Sequence, residues 1–378
     1  MKPINERVQL NDGSRTKRKK PDIILPIVTL LLVTIGTVMI YSSSSIIASE
    51  KFLDEYYFLK RHILFVFLGL AAMVILSKFP YHYWKKFAYA GVLLSIILLS
   101  LLFVPGWGVK AGGATRWLKM GGVTFQVTEV VKVALVIFLA HYITKKIGHV
   151  KIFPRIFIVP LIVTALIVSL TLFQPDFGTS VIIVMVSMLM FYLAGSRVLH
   201  LSMLASLFIP VAVMLVLNES YRLQRWLSFI DPWKDPADSG FHIIQSFLSF
   251  GSGGTFGVGI GNGMQKLFYL PEPHTDFILS VIAEEGGFVG VSIIVILFAI
   301  LIVRGFMISF NSPDLFGTLL SAGLTIILVL EAFVNMAAVM GLIPTKGLVL
   351  PFLSYGGTSL LMSMIAIGII LNISSYRT

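Results

Sequence analysis

The segment LPEPHTDFILSVIAEEGGF, Leu270 to Phe288, sets three carboxylates where an apolar run begins. Asp276 stands at its mouth, and Glu284 and Glu285 lie two turns further in. Acidic side chains inside a membrane segment are costly and mark function. Asp276 fits two roles equally well at this point. It could cap the backbone N–H groups of a starting helix, or it could serve as a general base. The helix dipole there favours the ionised carboxylate, and an apolar setting opposes it. At a rise of about 1.5 Å per residue, Glu284 lies about 12 Å below Asp276 and is turned about 80° from it. Glu285 is turned about 180°. The two glutamates therefore face different neighbours, and at least one should be buried with a polar or cationic partner.

A second constellation lies in QVTEVVKVALVIFLA, where Glu129 and Lys132 are three residues apart on one helix face. A structural ion pair is one reading. The other is a lysine facing a polar cavity and an anionic ligand, oriented by Glu129, or paired with an acid of the Asp276 segment. Glu331 and Asn335 make a similar pair, expected to serve helix packing. Arg116, Lys119, Arg222, Arg225 and Lys346 suit phosphate, because Arg grips its oxygens in a bidentate way. Each one alone is equally a lipid headgroup contact. His274 has no metal-ligand companion at useful spacing and reads as loop structure. With no cysteine, disulfides, thiolate metal sites and thiol nucleophiles are excluded. The chain has no Walker loop, nucleophile elbow or zinc motif.

The elements that must hold these residues are membrane helices. Of 378 residues, 57% are hydrophobic and only 12% charged, with a mean hydropathy of +0.92. A soluble domain carries about 25% charged residues. Ten apolar runs approach the length needed to span hydrocarbon: 23–43, 62–77, 84–104, 129–144, 155–172, 177–194, 198–217, 277–302, 315–342 and 351–373. The expected fold is an all-α polytopic membrane protein of ten transmembrane helices. With the N-terminus inside, the inner segments hold ten Lys or Arg besides seven in the first 20 residues, and the short outer loops hold seven. That asymmetry predicts both termini on the cytoplasmic side.

The net charge of +11 owes much to the basic tail, residues 1–22, which reads as disordered and as a topology signal rather than a nucleic-acid arm. The first run is too long for a signal-peptide core and reads as an uncleaved span. Residues 23–378 form one membrane domain. It contains a glycine-rich outer segment at 105–128 with interleaved cations and tryptophans, and a long outer loop at 218–276. Within that loop FHIIQSFLSF reads as a short amphipathic or re-entrant helix, followed by the glycine turns of GSGGTFGVGIGNG.

Several long stretches, in order, resemble the SEDS family (shape, elongation, division and sporulation). They are GGATRWLKMGGVTFQVTEVVKVALVIFLA, FQPDFGTS, YRLQRWLSFIDPWKDP, QSFLSFGSGGTFGVGIGNGMQKLFYLPEPHTDFILSVIAEEGGFVG and GLIPTKGLVLPFLSYGGTSLL, spanning roughly residues 105–365. GNGMQKLFYLPEPHTDF and GLIPTKGLVLPF are closer to the division-associated FtsW branch, or its sporulation relative, than to the elongation branch RodA. One departure is plain: the family usually has Gln-Pro-Ser-Glu where this chain has Gln126-Val127-Thr128-Glu129.

The resemblance implies a membrane glycosyltransferase that polymerises lipid II, the undecaprenyl-pyrophosphate-linked disaccharide-pentapeptide, into β-1,4 glycan. It implies Asp276 as the essential acid, accepting the proton of the attacking sugar hydroxyl. Glu129 and Lys132 are then expected to line a central cavity. Arg116, Lys119 and Lys132 are expected to stabilise the departing pyrophosphate, with Trp117, His274, Glu284 and Lys346 in the same substrate-binding or cavity group. A divalent cation, Mg or Mn, could share that work; no organic cofactor and no protein metal site is expected. Expected partners are lipid II, a class B penicillin-binding protein acting as transpeptidase, other divisome proteins and membrane lipid, with no nucleic acid. Two other classes stay open: a flippase carrying the precursor through Glu129, Lys132, Glu284 and Glu331, and a noncatalytic division scaffold. An essential acid confined to the outer rim separates polymerisation from transport.

Overall fold

The computed structural model describes residues 19–111, 113–120, 123–146, 153–236, 240–266, 273–345 and 347–376. The basic tail to Arg18 and Lys346 lie outside them. The described chain runs α1 (Ile24–Phe52), α2 (Tyr57–Lys78), α3 (Trp84–Leu101), β1 (Gly108–Ala111), β2 (Ala114–Met120), β3 (Val123–Gln126), α4 (Val127–Lys146) and α5 (Phe153–Phe173). It continues through α6 (Phe177–Leu193), α7 (Val198–Leu217), α8 (Ser220–Ile230), α9 (Phe241–Gly253), α10 (Ile278–Phe310), α11 (Leu315–Val339) and α12 (Gly357–Ser374).

Each of the ten apolar runs becomes a helix. Eight are long and apolar enough to cross a membrane; α5 and α6 are apolar over shorter stretches. The apolar windows of α4, α11 and α12 are mostly enclosed by neighbours, whereas that of α7 is entirely open to the surroundings. Glu129 and Lys132 of α4 and Glu331 of α11 are therefore interior, while Lys145 and Lys146 at the end of α4 are exposed. At one end of the bundle Asp22 accepts from the N–H groups of Ile24 and Leu25 and pairs with Arg304. Asp314 there accepts from the Tyr81 hydroxyl at 2.9 Å and from the N–H of Gly317 at 2.8 Å. The long interior helix α11 runs from that end to the one holding Asp276.

Two expectations need correction. The fold is not all-α, because the glycine-rich segment folds into an antiparallel sheet of order β1-β2-β3. Trp117 pairs with Gln126 and Leu118 with Phe125. In ATRWLKM the alternation buries Ala114 and Leu118 and exposes Lys119, the period of a half-buried strand. Glycines at both ends of that short strand conceal the pattern in the sequence.

The second correction concerns α10, which is not a continuous span. Gly287 breaks it with φ 63° and ψ −163°, a conformation essentially confined to glycine. The glycine loop after α9 fills the break. The N–H groups of Val258 and Gly259 donate to the carbonyls of Glu284 and Glu285, and those of Phe288 and Val289 donate to Gly254 and Thr255. Four backbone groups freed by the break are thus paired again. A Cβ on Gly287 would lie 2.3 Å from the Gly257 nitrogen, and one on Gly257 2.1 Å from the Glu285 carbonyl oxygen. The loop and the helix stub touch backbone to backbone.

The side chains of the stub complete the clamp. Glu284 accepts from the N–H groups of Met264 at 2.7 Å and Gln265 at 3.2 Å. Glu285 pairs with Lys266 at 2.7 Å and accepts from the Ser42 hydroxyl of α1 at 2.7 Å. At least one of the two glutamates was expected to be buried with a polar or cationic partner, and Glu285 has both in Ser42 and Lys266. Glu284 belongs to this clamp and not to the cavity beside Lys132.

Substituting Gly287→Ala should cost roughly 1–3 kcal/mol in backbone strain alone, before the clash with the loop. The expected outcome is a lowered melting temperature and a reduced monodisperse fraction on size-exclusion chromatography in detergent. Phe288→Ala, at the exposed neighbouring side chain, should leave both near wild type.

Candidate active site

Asp276 lies one residue before the N-cap of α10, which is Phe277 and carries no side-chain cap. Its segment is laced carbonyl by carbonyl to neighbouring elements. The His274 carbonyl accepts from the Tyr355 N–H at 2.8 Å, and the Thr275 carbonyl accepts from the Ser354 hydroxyl at 2.6 Å. The Asp276 carbonyl accepts from the Asn335 side-chain amide at 2.9 Å. The same amide donates to the Leu348 carbonyl at 2.6 Å. His274 is buried between the rings of Phe58 and Tyr355, at 4.5 and 5.6 Å. It is a wedge that supports the segment. Burial pushes the Tyr355 hydroxyl up from its ordinary pKa, against the opposing pull of the nearby Arg61 cation, so the phenol stays neutral.

Arg116 arrives from the sheet. In β2 it shares a face with buried Ala114 and Leu118, which carries its side chain inward. Its Nη1 donates to the Gly347 carbonyl at 3.1 Å, and its Nε lies 3.4 Å from Oδ2 of Asp176. Asp176 is buried and caps α6 by accepting from the Thr179 N–H. Gly347 connects the two halves of the site. A Cβ added there would sit 3.1 Å from Asp276 Oδ2 and 3.5 Å from Arg116 Nη1. A half-buried carboxylate and a guanidinium thus face the same glycine from two sides. That geometry suits a reaction that takes a proton at one point and gathers negative charge at another.

The remaining expected site residues divide. Trp117 and Lys119 lie on the opposite face of β2 from Arg116; Trp117 is half-buried and Lys119 exposed. The strand that brings Arg116 in carries Lys119 away, so the two do not act as a pair. Lys346 lies outside the described residues. Glu129 and Lys132 do line an interior cavity with Glu331, Ser363 and apolar side chains, but it holds only about 10 Å³, about one water-sized sphere. Lys132 is 3% exposed and is held between two carboxylates, Glu129 at 2.9 Å and Glu331 on α11. In this arrangement it is a structural ion cluster, not a lysine open to an anionic ligand. Its third member, Glu331, was expected to pair with Asn335. Four residues along α11 the two face different partners, because Asn335 reaches the Asp276 segment.

Asp176, Ser354 and Gly347 did not stand out in the sequence, and Asn335 was read only as a helix-packing residue. Asp176 had a visible signal: like Asp276, it is an acid at the first residue of an apolar run. The helix start that lacks the family's proline is intact, since α4 begins at Val127, the position where a proline would be tolerated. Among the described residues no group of three or more His, Asp or Glu side chains gathers to hold a metal.

These features define a polytopic helical membrane protein with an acid–guanidinium site at one end of its helix bundle. A family model described as "Cell cycle protein", covering FtsW, RodA and SpoVE, matches residues 22–378. The chain belongs to that family. It is 44% identical over 354 residues to the "Probable peptidoglycan glycosyltransferase FtsW" of Geobacter sp. (strain M18), covering 94% of this chain and 96% of that protein. It is 39% identical over 361 residues to the "Stage V sporulation protein E" of Bacillus subtilis (strain 168), covering 96% and 99%. A solved chain described under "Structural coordination of polymerization and crosslinking by a peptidoglycan synthase complex" superposes with a TM-score of 0.77 at 29% identity, covering 94% and 98%. The rod shape determining protein RodA of Thermus thermophilus superposes with a TM-score of 0.71 at 26% identity, covering 94% and 97%.

Two outcomes follow from this geometry. Lys132→Met leaves two buried carboxylates without their cation and should cost about 3–5 kcal/mol, read as a drop in melting temperature. Adding Glu331→Leu should restore part of it. Gly347→Ala should leave the melting temperature near wild type while lowering activity, because its methyl group intrudes between Asp276 and Arg116.

Proposed function

We propose that the chain is a peptidoglycan glycosyltransferase that polymerises lipid II into β-1,4 glycan at the outer face of the cytoplasmic membrane during septal wall synthesis. Relatives named for that activity match nearly the whole chain. The observation that carries the reading is the convergence of Asp276 Oδ2 and Arg116 Nη1 on Gly347. The sugar 4-hydroxyl of the acceptor attacks the anomeric carbon of the donor, and Asp276 takes its proton. The new O4–C1 bond forms as the C1–O bond to undecaprenyl pyrophosphate breaks, with inversion at C1. Negative charge moves onto the leaving pyrophosphate, where Arg116, already oriented by Asp176 and Gly347, is placed to receive it.

The reading includes ten spans, α5 and α6 among them, with both termini in the cytoplasm. The site then lies at the outer rim, where a lipid-linked sugar meets water while its polyprenyl tail stays in the bilayer. Transport fits less well. Glu129, Lys132 and Glu331 engage one another, and Glu284 engages the loop, so these groups do not form a polar path through the protein. A class B penicillin-binding protein is the proposed partner, in line with the polymerisation and crosslinking complex to which a similar chain belongs. It would cross-link the peptides of the new strands.

Polymerisation by purified protein with its transpeptidase partner and fluorescent lipid II tests the activity. Asp276→Asn should lower the rate roughly 100- to 10,000-fold at unchanged melting temperature, as expected for removal of a general base. An Asp276→Asn variant as fast as wild type would remove Asp276 from the chemistry. The orientation has its own test, because the chain has no native cysteine. A membrane-impermeant maleimide should label Lys110→Cys in intact cells and Arg197→Cys only after permeabilisation.

A further inference from the structure

Asn335 joins the two walls of the site. It lies on α11, 1% exposed, and has no place in the proton or charge transfer described above. Its Nδ2 donates one hydrogen bond to the Asp276 carbonyl at 2.9 Å and another to the Leu348 carbonyl at 2.6 Å. Leu348 follows Gly347, whose own carbonyl accepts from Arg116. One amide therefore connects the backbone carrying the carboxylate to the backbone that holds the guanidinium. Both partners are acceptors, so only the NH₂ end of the side chain satisfies them. The amide oxygen accepts from no group among the described residues. The side chain serves this position through its two donors.

The break at Gly287 gives that link its weight. The stub of α10 from Ile278 to Gly286 is not a rigid continuation of the helix below it. Its lower end is held by the glycine loop and the Lys266–Glu285 pair. Its flank is held by the Ser246–Ser280 contact at 2.8 Å, with Ser246 also donating to the Val339 carbonyl of α11. At its upper end the Asp276 carbonyl is held by Asn335. A long, well-packed helix is thus the reference against which the catalytic segment is set.

We infer that Asn335 is a positioning residue for the transfer step, fixing Asp276 relative to the Gly347–Arg116 wall through its two amide donors. The inference rests on Asp276 being the base. A 1 Å misplacement of a reacting group can cost a rate on the order of 100-fold with no contact to substrate lost. The loss therefore falls on kcat and leaves KM for lipid II nearly unchanged.

The test measures kcat and KM for lipid II polymerisation in the complex with the transpeptidase, per monodisperse molecule. Asn335→Asp keeps the shape and loses the donors, Asn335→Leu loses both donors and polarity, and Asn335→Gln keeps an NH₂ group. The expected result is a fall in kcat on the order of 100-fold for Asn335→Asp and Asn335→Leu, with KM within about threefold and a clearly smaller fall for Asn335→Gln. If Asn335→Asp does not fold, Asn335→Leu carries the comparison. A kcat within about twofold of wild type for the folded variants, a loss confined to KM, or equal losses in all three would each overturn the inference. Asp276→Asn, measured alongside, separates the two failures. If it is inactive while the Asn335 variants are not, only the positioning role falls; if it stays active, the base assignment and the inference fall together.

Discussion

Backbone N–H and C=O groups within a membrane have no water to bond, so irregular backbone survives there only where protein satisfies it. The half of the bundle that holds Asp276 is organised by that constraint. At Gly287 a membrane helix gives up its continuity, and the glycine loop from Gly254 to Gly259 takes up the exposed groups one for one. The segment 274–276, in turn and not in a helix, has each of its carbonyls taken by a donor from another element. Neither stretch would hold its shape if its neighbour were removed. The candidate active site sits between the two.

Charge follows the same rule. Buried carboxylates of the interior are each satisfied: Glu129 and Glu331 by Lys132, Glu285 by Lys266 and Ser42, and Glu284 by the N–H groups of Met264 and Gln265. Replacing any one member alone strands the others, which is the costly event. Asp276 differs in being half-buried at the rim, opposite a guanidinium that is itself committed to Asp176 and Gly347. The acids of the interior hold elements together, and Asp276 faces Gly347 and Arg116. Depth thus separates structural from chemical roles more sharply than residue type does.

Much of the architecture was legible in the chain. The ten apolar runs became helices because burial of a 20-residue apolar stretch leaves few alternatives. The short helix over FHIIQSFLSF and the interior position of Lys132 were also within reach of local pattern, whereas Lys266 as the partner of Glu285 was not. The sheet at 108–126 was not, since its alternation lasts only a few residues between glycines. Nor was the break at Gly287, because one glycine in an apolar run is usually tolerated within a helix and only the docked loop makes the break favourable. Asn335 was visible but misassigned: a spacing of four residues from Glu331 suggests a shared face, while the two side chains reach partners on different elements.

The sequence by itself determined that this is a membrane protein, which segments form its apolar helices, and that an acid stands at the start of the eighth run. Hydropathy, length and charge asymmetry are local properties of a chain, and they suffice for that. Tertiary structure alone decided which polar residues meet: Asp276 with Arg116 across Gly347, Asn335 with Asp276, and Lys132 with Glu331 in place of a ligand. Those contacts join residues up to 231 positions apart, and which of several possible partners a side chain finds depends on how the helices pack, not on the residues beside it.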